Sequence, residues 1–355
     1  MMNFNVGAPR RANDDARQSR IDAANDLVQR TLAQHGLTAP AMDRLPGGMP
    51  SGLPSGLPGG LTAPPRRPAA NVPVPKGAQF LQGTHSSAAG ARSFRTYVPA
   101  SAAQGVQGAV TMLHGCTQTA EDFAIGTGMN ALAEAHRLIV IYPQQSRGDN
   151  AQSCWNWFSA GDQRRGRGEP EILAGLTQSV LDEHAIAPEC SFVAGLSAGA
   201  AMAVILGAAY GDTFAAVGAH SGLPLGAARD VPSAFAAMAG NGPEPGSAGA
   251  AARTIIFHGA ADSTVHPMNG VRIAQQALAS GARQTIDEEA RGTRAGRGYT
   301  RRIVTAGGAP QLEHWTIDGL GHAWSGGQPG GSYTDARGPD ASAEMIRFFL
   351  NHKDL

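Results

Sequence analysis

The stretch Gly195-Leu196-Ser197-Ala198-Gly199 sets a hydroxyl between small residues where an apolar run, Ser191 to Ala194, gives way to the alanine-rich segment Ala198 to Ala209. The pattern reads as strand, tight turn, helix. A serine at such a turn is held in a strained conformation, and its neighbours must be small because strand and helix pass close together. The helix N-terminus aims free amides and a positive dipole end at the hydroxyl, a setting that favours an oxyanion.

A serine hydroxyl is a weak nucleophile until a base takes its proton, so the reading requires a histidine and an acid to orient it. On a sheet of this kind the chain order is serine, acid, histidine, with the last two at C-terminal strand ends. The apolar run Thr254 to Phe257 leads into a small-residue loop bearing Asp262, the candidate acid. The segment HWTIDGLGHAWSGG ends a strand in a glycine-lined loop carrying His322, the candidate base. His258 and His266 lie too near Asp262 in sequence to serve, and His314 falls within a strand. Two backbone amides must meet the oxyanion; Ala198 supplies one and Cys116, after the strand Ala109 to Leu113, the other. His114 and Gly115 shape that turn, with His114 read as a buried structural imidazole. Trp155, Trp157 and Trp324 are candidate flat walls for a substrate with little charge.

The elements that must position these residues form a mostly parallel sheet with helices on both faces, because short apolar runs alternate with helical patterns from about Lys76 onward. Strands are expected near Arg95 to Val98, Ala109 to Leu113, Leu138 to Tyr142, Ser191 to Ala194, Ala215 to Ala219, Thr254 to Phe257 and His314 to Ile317. Helices are expected at Glu169 to Glu183, Ala198 to Ala209, Met268 to Ala279 and Ala341 to Asn351. Residues 1–37 hold a short amphipathic helix over 12–36, with Ile21, Ala24, Leu27, Val28 and Leu32 on one face. Residues 38–75 are a Gly/Pro/Leu-rich flexible linker, and 76–355 are the catalytic domain.

Several function classes lose support. Lys plus Arg equals Asp plus Glu at 28 each, so no net field steers the chain to nucleic acid, and the RRGRGEP run at Arg164 reads as a solvated loop. No window reaches the length of a spanning helix. No P-loop, dinucleotide fingerprint or metal-binding spacing occurs, so no cofactor and no metal is expected. Three cysteines are too few for a disulfide-framed secreted scaffold, and with no signal-peptide pattern the expected location is cytoplasmic.

Seven motifs in order, LHGCTQTAEDFA, CWNWF, GEPEILAGLTQSVL, VAGLSAGAAMA, VGAHSGLP, FHGAADSTVHPMNG and GLGHAWSGG, resemble the poly(3-hydroxybutyrate) depolymerase family of esterases, over about Arg92 to Phe349. The resemblance implies an α/β-hydrolase fold and a serine esterase for short-chain polyhydroxyalkanoates or their oligomers, like the intracellular members. Carried over, the nucleophile is Ser197, the acid Asp262, the base His322, and the oxyanion amides those of Cys116 and Ala198. It also suggests that Cys116 and Cys154 lie close enough for a disulfide bracing the site, or stay thiols. Ala200 and Ala260 stand where many members have Gly and Asp. Alternatives are a feruloyl or acetyl-xylan esterase and, in another class, a non-catalytic granule-coating protein. The segment 12–36 is a candidate for contact with a polyester granule, or for docking on the domain or on another chain; the oligomeric state is left open.

Overall fold

The computed structural model describes residues 71–246, 252–279 and 285–351. The helix expected over 12–36 and nearly all of the 38–75 stretch lie outside the described residues.

Strands β1 (Gln79–Ser87), β2 (Gly90–Val98) and β3 (Gly108–Leu113) precede helices α1 (Ala120–Thr127) and α2 (Met129–His136). Strand and helix then alternate: β4 (Leu138–Pro143), α3 (Gly168–Glu183), β5 (Ser191–Leu196), α4 (Ala198–Ala209), β6 (Ala216–His220), α5 (Val231–Met238), β7 (Arg253–Gly259) and α6 (Met268–Leu278). The chain closes with β8 (Ile286–Arg294), β9 (Arg297–Ala306), β10 (Ala309–Ile317), the two-residue β11 (Trp324–Ser325) and β12 (Thr334–Asp335), and α7 (Ala341–Leu350). One ten-stranded sheet runs β1-β2-β4-β3-β5-β6-β7-β10-β9-β8. Its six central strands, β4 to β10 in that order, are parallel, and antiparallel strands close both flanks. This is the α/β-hydrolase arrangement expected.

The central strands read as nearly unbroken apolar runs because both faces are covered. In β5, Phe192, Ala194 and Leu196 join the core shared with α1, α2 and α7, while Val193 joins the opposite core with α3, α4 and α6. Alternate side chains thus point to opposite faces, and the strand is locked between two helical layers. Its C-terminal end is a fixed platform.

Strands β1, β8 and β9 and helices α1, α2 and α5 were not expected. β8 reads IDEEARGTR and is exposed along almost its whole length. A strand with no buried face carries no alternation of apolar and polar residues, so its pairing with β9 leaves no sequence trace. Helices α1 and α2 are eight residues each and are separated by Gly128 in the left-handed region, φ 63°.

Two glycines make the crossing of β5 and α4 feasible. A Cβ on Gly199 would collide with Leu113 O and lie 2.6 Å from His114 O, and one on Gly195 would lie 2.7 Å from Leu113 O. Gly→Ala within a helix ordinarily stabilises; here backbone blocks it. Gly199→Ala is expected to lower the free energy of unfolding by about 3 kcal/mol, read from urea titration; an unchanged or raised midpoint contradicts the close approach.

Candidate active site

Ser197 caps α4 with φ 57° and ψ −119°, a region that residues with a Cβ occupy only when their surroundings force them to. The forcing contacts are backbone ones: Ser197 N donates to His220 O at 2.9 Å, and Ser197 O accepts from Ala201 N at 3.0 Å. Four other residues with positive φ gather at the ends of the same strands or touch them: Thr117, Ser153, Ser221 and Tyr333. Tyr333 reaches Thr117, its hydroxyl 3.3 Å from Thr117 Oγ1.

Asp262 leaves β7 and is 4% exposed. Its Oδ1 accepts from the amides of Thr264 and Val265, both at 2.9 Å, and its Oδ2 lies 2.7 Å from His322 Nδ1. Burial alone would raise its pKa, but the His322 hydrogen bond and charge, His258 and the Val265 amide outweigh burial and hold the carboxyl below its usual range. An ionised Asp262 can only accept, so His322 carries its proton on Nδ1 and presents Nε2 as a base. Among the described residues neither Nε2 nor the Ser197 hydroxyl has a hydrogen-bond partner. His258 Nε2 is 3.7 Å from the same Oδ2, but it bonds to Val265 O at 2.8 Å. His266 accepts from Met268 N at 3.1 Å, and His314 lies within β10.

On the sheet, β10 is three strands away from β5, and adjacent strands are about 4.8 Å apart. The distance is closed by the loop after β10, which runs back across the strand ends. Ala261 N donates to Leu320 O at 3.0 Å, His322 bonds Asp262 above β7, and Ser325 N donates to His220 Nε2 at 3.0 Å above β6. His322 is therefore held between the ends of β7 and β6, and β6 adjoins β5.

The loop after β3 lies on the other side of Ser197. A Cβ on Gly115 would sit 3.6 Å from Leu196 O, so the loop touches the elbow. The amides of Cys116 and Ala198 donate to no described residue and are free to receive charge. His114 is fully buried; its Nε2 accepts from Gln145 N at 3.1 Å, so Nδ1 donates to Gly115 O at 2.7 Å. Gly115 C=O and Cys116 N–H belong to one peptide plane, so that bond also orients the Cys116 amide. A disulfide joins Cys116 to Cys154, and Thr117 N donates to Gln152 O at 2.7 Å. The Cys154 strap is fixed in turn by buried Glu169, which accepts from Asn156 N at 2.7 Å, from Arg92 at 3.1 Å and from Gln145, whose Nε2 also reaches Cys154 O. Glu169, Gln145 and His220 were missed as site supports; Glu169 and His220 had only membership of the quoted motifs as a signal, and Gln145 lies in none of them.

The tryptophans require correction. Trp155 is wholly buried and donates to His114 O at 3.0 Å; Trp324 is 1% exposed, donates to Ser342 Oγ at 3.1 Å and stacks on His220. Trp157 is 6% exposed and packs edge-on against Phe158. Rings of this size gain more from burial than from lining an open cleft, and all three lie in the core, with Trp155 and Trp324 propping residues of the site.

Residues 92–304 match the family model described as Esterase PHB depolymerase. Ser197 and Asp262 fall inside that match and His322 beyond its end. The chain is 34% identical over 235 residues to poly(3-hydroxyalkanoate) depolymerase C of Paucimonas lemoignei, covering 60% of this chain and 54% of that protein. It is 30% identical over 192 residues to a probable acetylxylan esterase A of Aspergillus flavus, covering 49% and 61%, and 28% identical over 253 residues to poly(3-hydroxybutyrate) depolymerase of Ralstonia pickettii, covering 65% and 51%. The chain thus spans about half to three fifths of the length of these relatives. Among solved structures, acetyl xylan esterase from Aspergillus awamori superposes with a TM-score of 0.60 at 20% identity, over 77% of this chain and 98% of that one, which establishes the fold. No helix among the described residues is long and apolar enough to cross a membrane.

Two outcomes are expected. Thiol reduction of Cys116–Cys154 loosens the Cys116 amide and lowers ester turnover about tenfold with little change in KM, since loss of one oxyanion donor costs more than that; full turnover with both thiols titrated contradicts the bracing role. Burial lowers the His114 pKa to about 4. The unfolded chain then takes up a proton that the folded one refuses as pH falls from about 6.5 to 4. Stability is lost over that window at up to ~1.4 kcal/mol per pH unit, and denaturant titrations of His114→Phe should show an acid limb flatter by that amount.

Proposed function

The chain belongs to the Esterase PHB depolymerase family, and from that premise we propose that it is a serine esterase cleaving ester bonds of short-chain poly(3-hydroxyalkanoates), foremost poly(3-hydroxybutyrate) or its oligomers, through an acyl-enzyme. The observation that carries this reading is the buried Asp262–His322 hydrogen bond, 2.7 Å long, on a loop that returns toward the strained Ser197.

Ser197 Oγ attacks the ester carbonyl carbon while His322 Nε2 takes its proton; Asp262 stabilises the imidazolium without taking the proton. The amides of Cys116 and Ala198 receive the oxyanion. As the ester C–O bond breaks, His322 returns the proton to the departing alkoxide and leaves the acyl group on Ser197. Water then attacks the acyl carbon, giving a proton to His322, which passes it to Ser197 Oγ as the acyl–oxygen bond breaks and a hydroxyacid end is freed. The three groups act as a unit, so removing the nucleophile removes most of the catalysis.

A second reading, an acetylxylan-type carboxylesterase, draws support from the acetylxylan esterases among the relatives and uses the same machinery. A non-catalytic granule coat is disfavoured by the intact acid–base pair. The Cys116–Cys154 disulfide supports an oxidising compartment over the cytoplasmic setting that the sequence suggests, since such bonds persist where thiols are not kept reduced.

Ser197→Ala is expected to lower hydrolysis of a soluble butyrate ester by about 10⁴-fold or more, with wild-type activity contradicting the assignment. With the unsubstituted protein, release of hydroxybutyrate from trimers outpacing release of acetate from acetylated xylan supports the polyester reading; the reverse order supports the second one.

A further inference from the structure

His220 ends β6, fully buried between the strand that delivers Ser197 and the strand that delivers Asp262. Its main chain and its ring hold different partners. The carbonyl oxygen accepts from Ser197 N at 2.9 Å and so fixes the strained peptide at the elbow. The ring Nε2 accepts from Ser325 N at 3.0 Å, three residues beyond His322. An amide can only donate, so Nε2 carries no proton and Nδ1 does, 3.2 Å from Ser221 Oγ. The ring plane stacks on Trp324 at 5.1 Å between centroids and on Phe257 at 5.9 Å. Ser325 is itself buried, and its hydroxyl donates to Pro339 O at 2.7 Å, so the loop end that His220 grips is anchored on both sides.

We infer that His220 is a positioning residue: its backbone holds Ser197, its ring holds the strand that follows His322, and one rigid residue therefore sets the spacing between nucleophile and base. The inference rests on the esterase reading. A residue that only filled the core would need volume and stacking. A residue that sets this spacing also needs an acceptor at Nε2. A misplacement of about 1 Å between reacting groups is enough to cost about a hundredfold in rate. Burial first, then the neighbouring His258 and His322, lower the His220 pKa to about 3, so the ring stays a neutral acceptor at ordinary pH.

Two variants separate the roles. His220→Phe keeps the ring and its stacking but has no acceptor; His220→Gln gives up the ring but places Oε1 near the position of Nε2. Each is assayed with p-nitrophenyl butyrate, with rates normalised to the sites titrated by a fluorophosphonate probe, so that misfolded protein does not count. The expected result is a kcat per titrated site about a hundredfold lower in His220→Phe with KM within about twofold, and recovery to within about tenfold of the unsubstituted protein in His220→Gln. A kcat for His220→Phe within twofold of the unsubstituted protein, or a His220→Gln kcat as low as that of His220→Phe, overturns the role. If neither variant folds, ¹⁵N spectra of histidine-labelled unsubstituted protein decide: His220 protonated on Nδ1 alone supports the inference, and protonation on Nε2 overturns it. An unsubstituted protein that neither hydrolyses the ester nor takes the probe overturns the esterase reading itself, independently of those spectra.

Discussion

The arrangement depends on the loop that leaves β10 and turns back across the ends of β7 and β6. Without it His322 would stand three strands from Ser197. Three bonds hold the return: one backbone bond from Ala261 to Leu320, one charge-assisted bond from His322 to Asp262, and one bond from Ser325 to the His220 ring. The middle bond joins the proposed base to its acid, so the contact that would orient the base also helps hold the loop in place. Asp262 can serve both purposes because Thr264 and Val265 amides occupy its other oxygen, and a buried carboxylate so bonded remains ionised.

Buried polar groups are costly unless each finds its partners, and around this site most do. His114 accepts from Gln145 and donates to Gly115; Glu169 gathers Arg92, Gln145 and Asn156; the disulfide ties the outcome to Cys116. The result is a fixed polar frame beneath the loop proposed to hold the oxyanion, and amides held so firmly would meet developing charge without having to reorganise. The positive φ of Thr117 and Ser153 persists within this frame, beside the Cys116–Cys154 disulfide and the Thr117 N–Gln152 O bond, whereas that of Ser197 is held by its own backbone bonds to His220 and Ala201.

What could be read from the chain followed how local each constraint was. The elbow was legible because β5, Gly195 and Gly199 satisfy a steric demand within nine residues, and the helix Ala198–Ala209 came out with its observed limits. The central strands were legible because burial on both faces writes an apolar run. β1, half-solvated, and β8, exposed along almost its whole length, are polar and wrote none. The tryptophans misled because an aromatic ring near a reactive residue looks the same in sequence whether it lines a cleft or props the core; Trp155 and Trp324 prop it. His220 and Glu169 act through partners up to 105 residues away, and no spacing rule links such positions.

The central claim is that residues 197 and 322 meet as nucleophile and base. The most direct measurement is to treat the intact protein and its His322→Ala variant with diethyl p-nitrophenyl phosphate, follow the departing p-nitrophenolate, then digest the protein and locate the diethylphosphoryl adduct by mass spectrometry. The account predicts one adduct, on Ser197, formed at a rate that falls about a hundredfold or more in His322→Ala. An adduct on another residue, or one that forms on Ser197 just as fast without His322, would contradict it.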